Sequence, residues 1–182
     1  MKQVIVLKLE PTPAQQQALT TTMQAFNQGC QYVGELAFQH HLANKIALQP
    51  MVYQELRLRF GLSSQMAVRA ISSACESYKT NKEVAPHFEA SDPMILDARL
   101  MSFKGLTDVS LLCLTGRQLV PFRFIRYQAA RKDRIAGQSD LFLRDNTFFL
   151  EVHIELPSPP DDVSEQTKKE ANVVNSDVHS SA

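Results

Sequence analysis

With 182 residues, 44% of them hydrophobic, the chain is long and apolar enough to bury a core, which excludes a short peptide or a wholly disordered protein. Its formal net charge is zero, and a neutral total by itself argues against a nucleic-acid-binding protein. The longest apolar runs are shorter than a membrane span and the first residues lack the pattern of a signal peptide, so we expect a cytoplasmic protein that does not bind membranes.

The neutral total hides two segments of opposite charge. Residues 157–182 contain two lysines and five acidic residues, a net charge of −3. Residues 117–134 contain six cations and one acid, a net charge of +5. Clustered cations are typical of phosphate-binding surfaces, so this segment is a candidate RNA- or phosphate-binding site. Its cations are Arg117, Arg123, Arg126, Arg131, Lys132 and Arg134.

In the N-terminal half, the pattern predicts one strand followed by helices. Residues 3–10 are rich in β-branched side chains and are followed by Pro11, which is typical of a strand. Thr12 and Gln15 have the spacing of a capping box around a proline at the first helical position. The apolar residues that follow recur every three or four positions through Ala37, which predicts one long amphipathic helix.

Two shorter helices are predicted at residues 51–60 and 63–79, separated by Gly61. The second begins at Ser63 or Ser64, and the first turn of a helix is a favourable place for a phosphate or a base edge. The same segment also fits an ordinary helical hairpin with a solvated polar face. The candidate DNA-binding residues of this segment are Tyr53, Arg57, Ser64, Gln65 and Arg69.

After Pro86 the hydrophobic period changes from helical to alternating, which predicts a series of short strands. Pro121 lies inside one of them and predicts an edge strand or a bulge. In that run, simple alternation would place Arg123 and Ile125 on one face and Phe122, Phe124 and Arg126 on the other. The predicted strands cover residues 94–104, 108–115, 117–127, 139–145 and 147–157.

These elements together predict an α+β fold. We expect a small antiparallel β-barrel formed by residues 1–10 and 87–157, interrupted by a three-helix insertion at residues 11–86. Residues 158–182 have almost no apolar periodicity and are predicted to be a disordered acidic tail.

No catalytic residues, metal site or cofactor are predicted. Three cysteines lie far apart in apolar surroundings, without the spacing of zinc ligands, and are expected to be buried thiols. The acids Asp92, Asp97 and Asp108 have a spacing that does not require a metal, and we expect them to serve in turns or ion pairs.

The order of motifs resembles the N-terminal half of TnpB/OrfB proteins, the transposon-encoded RNA-guided nucleases related to type V CRISPR effectors. The resemblance covers roughly residues 3–157, and no single motif carries it. In the helical part it rests on Leu9, Pro11, Thr12, Phe26-Asn27, Cys30, Tyr53, Leu56, Arg57, Phe60, Leu62, Gln65 and Tyr78-Lys79. In the strand-rich part it rests on Asp97, Arg99, Ser102-Phe103, Val109-Ser110-Leu111, Gly116-Arg117, Tyr127-Gln128, Gln138, Asp140-Leu141, Phe148 and Leu150.

The resemblance implies a wedge-type barrel interrupted by a recognition domain, which together hold a structured guide RNA and read a short motif in duplex DNA. It places Tyr53, Gln65 and Arg69 where relatives contact that DNA, with Arg57 and Ser64 as neighbours.

Relatives of this type continue into a RuvC-like nuclease domain with three catalytic acids and a zinc element, whereas this chain departs from the family pattern near Pro157. The first hypothesis is therefore a binding module that does not cleave nucleic acid. The alternatives are half of a split RNA-guided endonuclease whose nuclease half is separately encoded, and a decayed transposase remnant.

Overall fold

The computed structural model describes residues 2–129 and 135–157, which form three helices and a curled antiparallel half-barrel sheet of seven strands. The α+β class is therefore confirmed. The helices are α1 (Pro13–Gln39), α2 (Lys45–Leu58) and α3 (Ser64–Thr80). The strands are β1 (Lys2–Leu9), β2 (Met94–Leu96), β3 (Met101–Lys104), β4 (Asp108–Cys113), β5 (Gly116–Ala129), β6 (Ser139–Arg144) and β7 (Thr147–Glu155). The predicted tail at 158–182 lies outside the described residues.

The first strand of the chain lies at the centre of the sheet. The strand order is β2-β6-β7-β1-β5-β4-β3, and β1 pairs antiparallel with both β5 and β7. Residues that are distant in sequence therefore meet on either side of β1, and the three helices lie in the chain between β1 and β2. The strands at the two ends of this order are β2 and β3, so in the described part of the chain the sheet has two edges.

Helix α1 begins where the capping box predicts. The Gln15 N–H donates to Thr12 Oγ1 at 3.2 Å, and the Thr12 N–H donates to Gln15 Oε1 at 3.0 Å. These two bonds satisfy two N–H groups that a helix end would otherwise leave unpaired. The apolar stripe of α1 contributes Leu19, Phe26 and Val33 to one core that the helices share with the sheet.

The start of α2 corrects the sequence prediction. The helix begins at Lys45 and not near residue 51, and Pro50 is its sixth residue. The side chain of Asn44 caps it by accepting hydrogen bonds from the N–H groups of Ile46 at 2.9 Å and Ala47 at 3.2 Å. Proline usually ends or kinks a helix, but Pro50 lies within α2. The end of α2 agrees with the prediction, because Gly61 adopts a φ of 67° that favours glycine.

The predicted strand at 94–104 is two strands, β2 and β3. A turn at Asp97 separates them: its carboxylate oxygen Oδ1 accepts hydrogen bonds from the N–H groups of Arg99 at 2.9 Å and Leu100 at 3.2 Å. An aspartate that binds the backbone two and three residues ahead is a common turn former, and it overrides the local strand pattern.

Strand β5 changes partner at Pro121, pairing with β4 before it and with β1 after it. Farther along, Val6 pairs with Arg126 but Leu7 pairs with Phe124, so Ile125 is one extra residue, a β-bulge. A bulge on this strand was one of the two outcomes predicted from Pro121, and it lies four residues beyond the proline.

The bulge changes which side chains share a face, so the prediction of simple alternation was wrong here. Phe122, Phe124 and Tyr127 lie opposite Leu9, Leu7 and Ile5 on the face that continues into the core, which we call the core face. Arg123 and Arg126 lie opposite Lys8 and Val6 on the other face, which we call the outer face. Cross-strand partners point to the same side of a sheet, so β5 separates its arginines from its aromatic rings.

All three cysteines are buried free thiols, as predicted. Burial is the main reason that the pKa of each thiol is raised, so these residues behave as small hydrophobic side chains. Among the described residues, none of the helices combines the length and apolar character that a membrane crossing requires.

Asn27 of α1 fastens the helical layer to the segment that leads into β2. Its side chain is buried, and its Nδ2 donates to the carbonyl oxygens of Asp92 at 2.8 Å and Ala90 at 3.3 Å. We expect Asn27→Ala to lower the free energy of unfolding by about 1–3 kcal/mol, because it leaves two carbonyls without a partner. Urea denaturation measures this, with the exposed Gln24→Ala as the control on the same helix. Equal stability of the two variants would contradict the assigned role.

Candidate nucleic-acid interface

The N-terminal turn of α3 is where the candidate residues of the helical segment meet. Ser63 caps the helix by accepting a hydrogen bond from the Met66 N–H at 3.3 Å, which leaves Ser64 exposed at the first helical position. Arg57, from the last turn of α2, donates to Ser64 Oγ at 3.0 Å. The tight connection at Gly61 therefore brings Arg57 beside the start of α3.

Asp97 joins this helix to the sheet. Its Oδ2 accepts hydrogen bonds from the side chains of Gln65 and Arg69, and the Arg69 Nε lies 2.7 Å away. The side chains are mostly buried, with 25% of Arg69 and 11% of Asp97 exposed. Gln65 and Arg69 are thus held against the turn between β2 and β3, and most of the charge of Arg69 is neutralised there.

The environment of Asp97 keeps it ionised. Burial alone would raise the pKa of its carboxyl group. The hydrogen bonds from Arg69, the Arg99 N–H and Gln65, together with the positive charge of Arg69, outweigh burial and lower the pKa below the usual aspartate value. The expectation that Asp97 serves in a turn or an ion pair is confirmed, since Asp97 does both.

Two exposed arginines from the sheet complete the arrangement. The Arg99 Nη1 donates to Gln65 Oε1 at 3.2 Å, so both polar atoms of the Gln65 amide are engaged. The Arg117 Nη2 donates to the Arg99 carbonyl oxygen at 2.7 Å, and its Nη1 lies 3.5 Å from Ser110 Oγ. Arg57, Arg99 and Arg117 are all exposed.

We call this set the arginine cluster. It contains four guanidinium groups and one carboxylate, so its net charge is +3. The sequence placed Arg99 in a family motif but not in a binding site, because residues 94–104 were predicted as one continuous strand, and it is the break in this strand at Asp97 that brings Arg99 to α3. The members of the arginine cluster are Arg57, Ser64, Gln65, Arg69, Asp97, Arg99 and Arg117.

Other predicted site residues lie apart from this cluster. Tyr53 is half-buried and packs against the hydrophobic core. Arg123 forms an ion pair with Glu10 at 2.7 Å on the outer face of the sheet. Arg126 is exposed on that same face, opposite Val6. Thus Arg117, predicted to act with Arg123 and Arg126, lies instead beside Arg99, whose side chain contacts Gln65 of α3. The predicted phosphate-binding residues Arg131, Lys132 and Arg134 lie outside the described residues.

On the core face, the aromatic residues of β5 line an open apolar groove of about 490 Å³. Phe103 and Phe122 pack edge to face with ring centres 5.6 Å apart, and Phe124 and Tyr127 have ring centres 4.6 Å apart. Phe124 is 49% exposed and Tyr127 is 63% exposed. Large apolar side chains at this exposure on one side of a groove are typical of a surface that binds a partner. We call it the aromatic groove.

Comparison with protein-family models gave no match, and no curated protein showed significant similarity to this chain.

The ionised state of Asp97 predicts a pH-dependent contribution to stability. Because its pKa is lowered on folding, this contribution is complete above the usual aspartate value of about 4 and is lost as the pH falls through the lower folded value. We expect Asp97→Asn to lower the free energy of unfolding by about 1–3 kcal/mol at neutral pH, since Arg69 loses its ionic partner.

Urea denaturation of both proteins at about pH 7 and about pH 3 tests this expectation. The difference between wild type and Asp97→Asn should shrink at the lower pH, whereas the exposed Glu83→Gln should differ little from wild type at either pH. A difference that is constant with pH would mean that the charge of Asp97 does not stabilise the fold.

Proposed function

We propose that this chain is a nucleic-acid-binding module that binds a structured, guide-type RNA and a short motif in duplex DNA without cleaving either. The observation that carries the proposal is the convergence of Arg57, Arg99 and Arg117, which are far apart in the sequence, around the first turn of α3.

The cluster is suited to phosphate because of the donors that remain available. A guanidinium group has five N–H donors in a planar fork that matches two phosphate oxygens. Arg99 and Arg117 each use only part of this fork in the hydrogen bonds described above. Their exposed positions leave the remaining donors accessible to a ligand, whereas Arg69 acts mainly by positioning Gln65 and the turn at Asp97.

Helix α3 adds to the positive potential of the same surface. Its 17 residues align their peptide dipoles, which places partial positive charge at the end where Ser64 and Gln65 lie. Side chains at this end of the helix would enter or border a groove of duplex DNA, while the surrounding arginines contact its phosphates.

The order of the elements supports the same proposal. We interpret the curled sheet as a wedge-type barrel, and α1–α3, between β1 and β2, as a recognition insertion in it. In this arrangement the Asp97 turn joins the two parts, and the arginine cluster lies at their junction. A ligand bound there would contact both parts at once.

The RNA that accompanies the protein tests the proposed ligand. The protein would be expressed with its native genomic surroundings, purified through a high-salt wash, and the bound RNA sequenced. One structured RNA from the flanking DNA is the expected result. Heterogeneous RNA, or none, would contradict guide binding and would favour a decayed remnant.

The contribution of the cluster can be measured with Arg99→Ala. We expect this variant to bind RNA or DNA more weakly. A plot of the logarithm of the binding constant against the logarithm of the salt concentration should also become less steep, by about one unit of slope for each phosphate that is no longer neutralised. Arg57→Ala and Arg117→Ala should act similarly. Lys79→Ala is the matched control, because Lys79 is a cation near the other end of α3, about 20 Å from Gln65 by helix rise. Equal effects of Arg99→Ala and Lys79→Ala on the slope would contradict a localised site.

The aromatic groove favours a second candidate, in which this chain is half of a split endonuclease and a separately encoded nuclease half covers the groove. We then expect Phe124→Ser to abolish co-purification with a nuclease half encoded in the neighbouring DNA while RNA binding is retained. Ile46→Ser is the control, because Ile46 is 78% exposed on α2 and does not line the groove. Co-purification unaffected by Phe124→Ser would exclude the groove as the contact.

A further inference from the structure

A second group of polar residues lies on the outer face of the sheet, near the start of β6. Asp140 on β6 and Glu151 on β7 are directly opposite each other, and His153 follows two residues along β7 on the same face. One ligand atom from each of the three residues lies within 4.8 Å of the other two. Cross-strand pairing therefore brings two carboxylates and one imidazole close together.

His153 is the residue that needs explanation. Its side chain is only 5% exposed, and among the described residues neither ring nitrogen has a hydrogen-bond partner. Buried polar groups are almost always paired, and an unpaired one is costly. Its neighbours on β1 do not supply a partner, because His153 lies opposite Val4 and Glu151 lies opposite Val6.

The distances indicate what could satisfy the imidazole. The His153 Nε2 lies 3.6 Å from Asp140 Oδ2 and 3.5 Å from Glu151 Oε1. Both distances exceed those of normal hydrogen bonds, which are about 2.7–3.2 Å. They match the separation of two ligand atoms on a tetrahedral zinc ion, which is about 3.3–3.6 Å for metal–ligand bonds of about 2.0–2.2 Å.

We propose that Asp140, Glu151 and His153 bind one divalent transition-metal ion, with Zn²⁺ as the best fit. Imidazole nitrogen and carboxylate oxygen both suit zinc, and two carboxylates balance its charge in a mostly buried place. Three protein ligands leave the fourth tetrahedral position for water or for a group from a bound molecule. Mg²⁺ fits less well, because it requires six ligands, almost all of them oxygen.

The position of the site gives the ion a structural role. The His153 carbonyl oxygen accepts a hydrogen bond from the Gly137 N–H at 3.0 Å, and its N–H donates to the Gln138 carbonyl at 3.1 Å. The backbone of His153 thus already holds residues 137–138, which lead into β6. A metal ion bound between β6 and β7 would hold the two strands together and would also restrain residues 137–138.

Zinc binding by the isolated protein tests the proposal. The protein would be purified without a polyhistidine tag, stripped with a chelator, and titrated with Zn²⁺ in competition with a chromophoric chelator. We expect one Zn²⁺ per chain and a metal-dependent rise in the melting temperature, since the ion binds the folded state. Substitution with Co²⁺ should give the strong visible absorption of tetrahedral coordination.

Variants assign the binding to these residues. We expect His153→Gln and the isosteric Asp140→Asn to weaken zinc binding by about 100-fold or more, as removal of a direct ligand should cost at least as much as removal of its supporting hydrogen bonds. His87→Gln is the matched control, because His87 is an exposed histidine 4.0 Å from Glu89 and should leave binding unchanged. Circular dichroism in the presence of chelator checks that the variants fold.

Two results would overturn the proposal. The first is a wild-type protein that binds no Zn²⁺ saturably. The second is His153→Gln binding Zn²⁺ as tightly as wild type, which would place any metal elsewhere. Neither measurement depends on nucleic-acid binding, so the result is independent of the function proposed above.

Discussion

The ion pair between Asp97 and Arg69 is the constraint on which the arginine cluster depends. Both side chains are mostly buried, so the separation of either charge from the other would leave an ion in a poorly solvated place. The same carboxylate forms the turn between β2 and β3 and accepts a hydrogen bond from Gln65. One aspartate therefore fixes the end of the sheet, the start of α3 and the position of Arg99, whose N–H the same carboxylate binds in that turn.

The arginines of this surface have two different roles. Arg69 is neutralised and holds the elements together, whereas Arg57, Arg99 and Arg117 remain exposed with unused donors. The neutral formal charge of the whole chain is thus compatible with a locally positive surface, because cations that bind anions must be close in space and not merely numerous. This local charge is the physical basis of the proposed nucleic-acid binding.

The two faces of the sheet offer different chemistry, and one inserted residue extends this difference to the end of β5. Ordinary alternation places Phe122 and Phe124 in the aromatic groove and Arg123 on the outer face. The bulge at Ile125 then shifts the alternation, so that Tyr127 also lines the groove and Arg126 lies on the outer face. The outer face also holds the proposed metal site, where cross-strand pairing of β6 and β7 brings Asp140 beside Glu151. The apolar groove is consequently separated from the arginines of β5 and the proposed metal site, which share the outer face.

The sequence by itself determined the elements whose signals are local. The capping box at Thr12, the apolar stripe of α1, the serine cap of α3 and the alternating strands after residue 86 were predicted, since each depends on residues within a few positions. The sequence-based prediction was wrong where one side chain formed hydrogen bonds with the backbone that the residue pattern does not indicate. Asn44 capped a helix that tolerates Pro50, and Asp97 formed a turn inside an apparently continuous strand.

Only the tertiary structure decided which residues share a site. Gln65 and Arg69 were predicted from the sequence as members of one helical segment, but Arg99 reaches Gln65 only through the turn at Asp97, and Arg117 joins the group through the Arg99 carbonyl. The three residues of the proposed metal site likewise have no ligand spacing along the chain, because strand pairing and register bring them together. Sequence periodicity specifies the face on which a residue lies, whereas strand order and packing, which arise from burial across the whole chain, specify its neighbours.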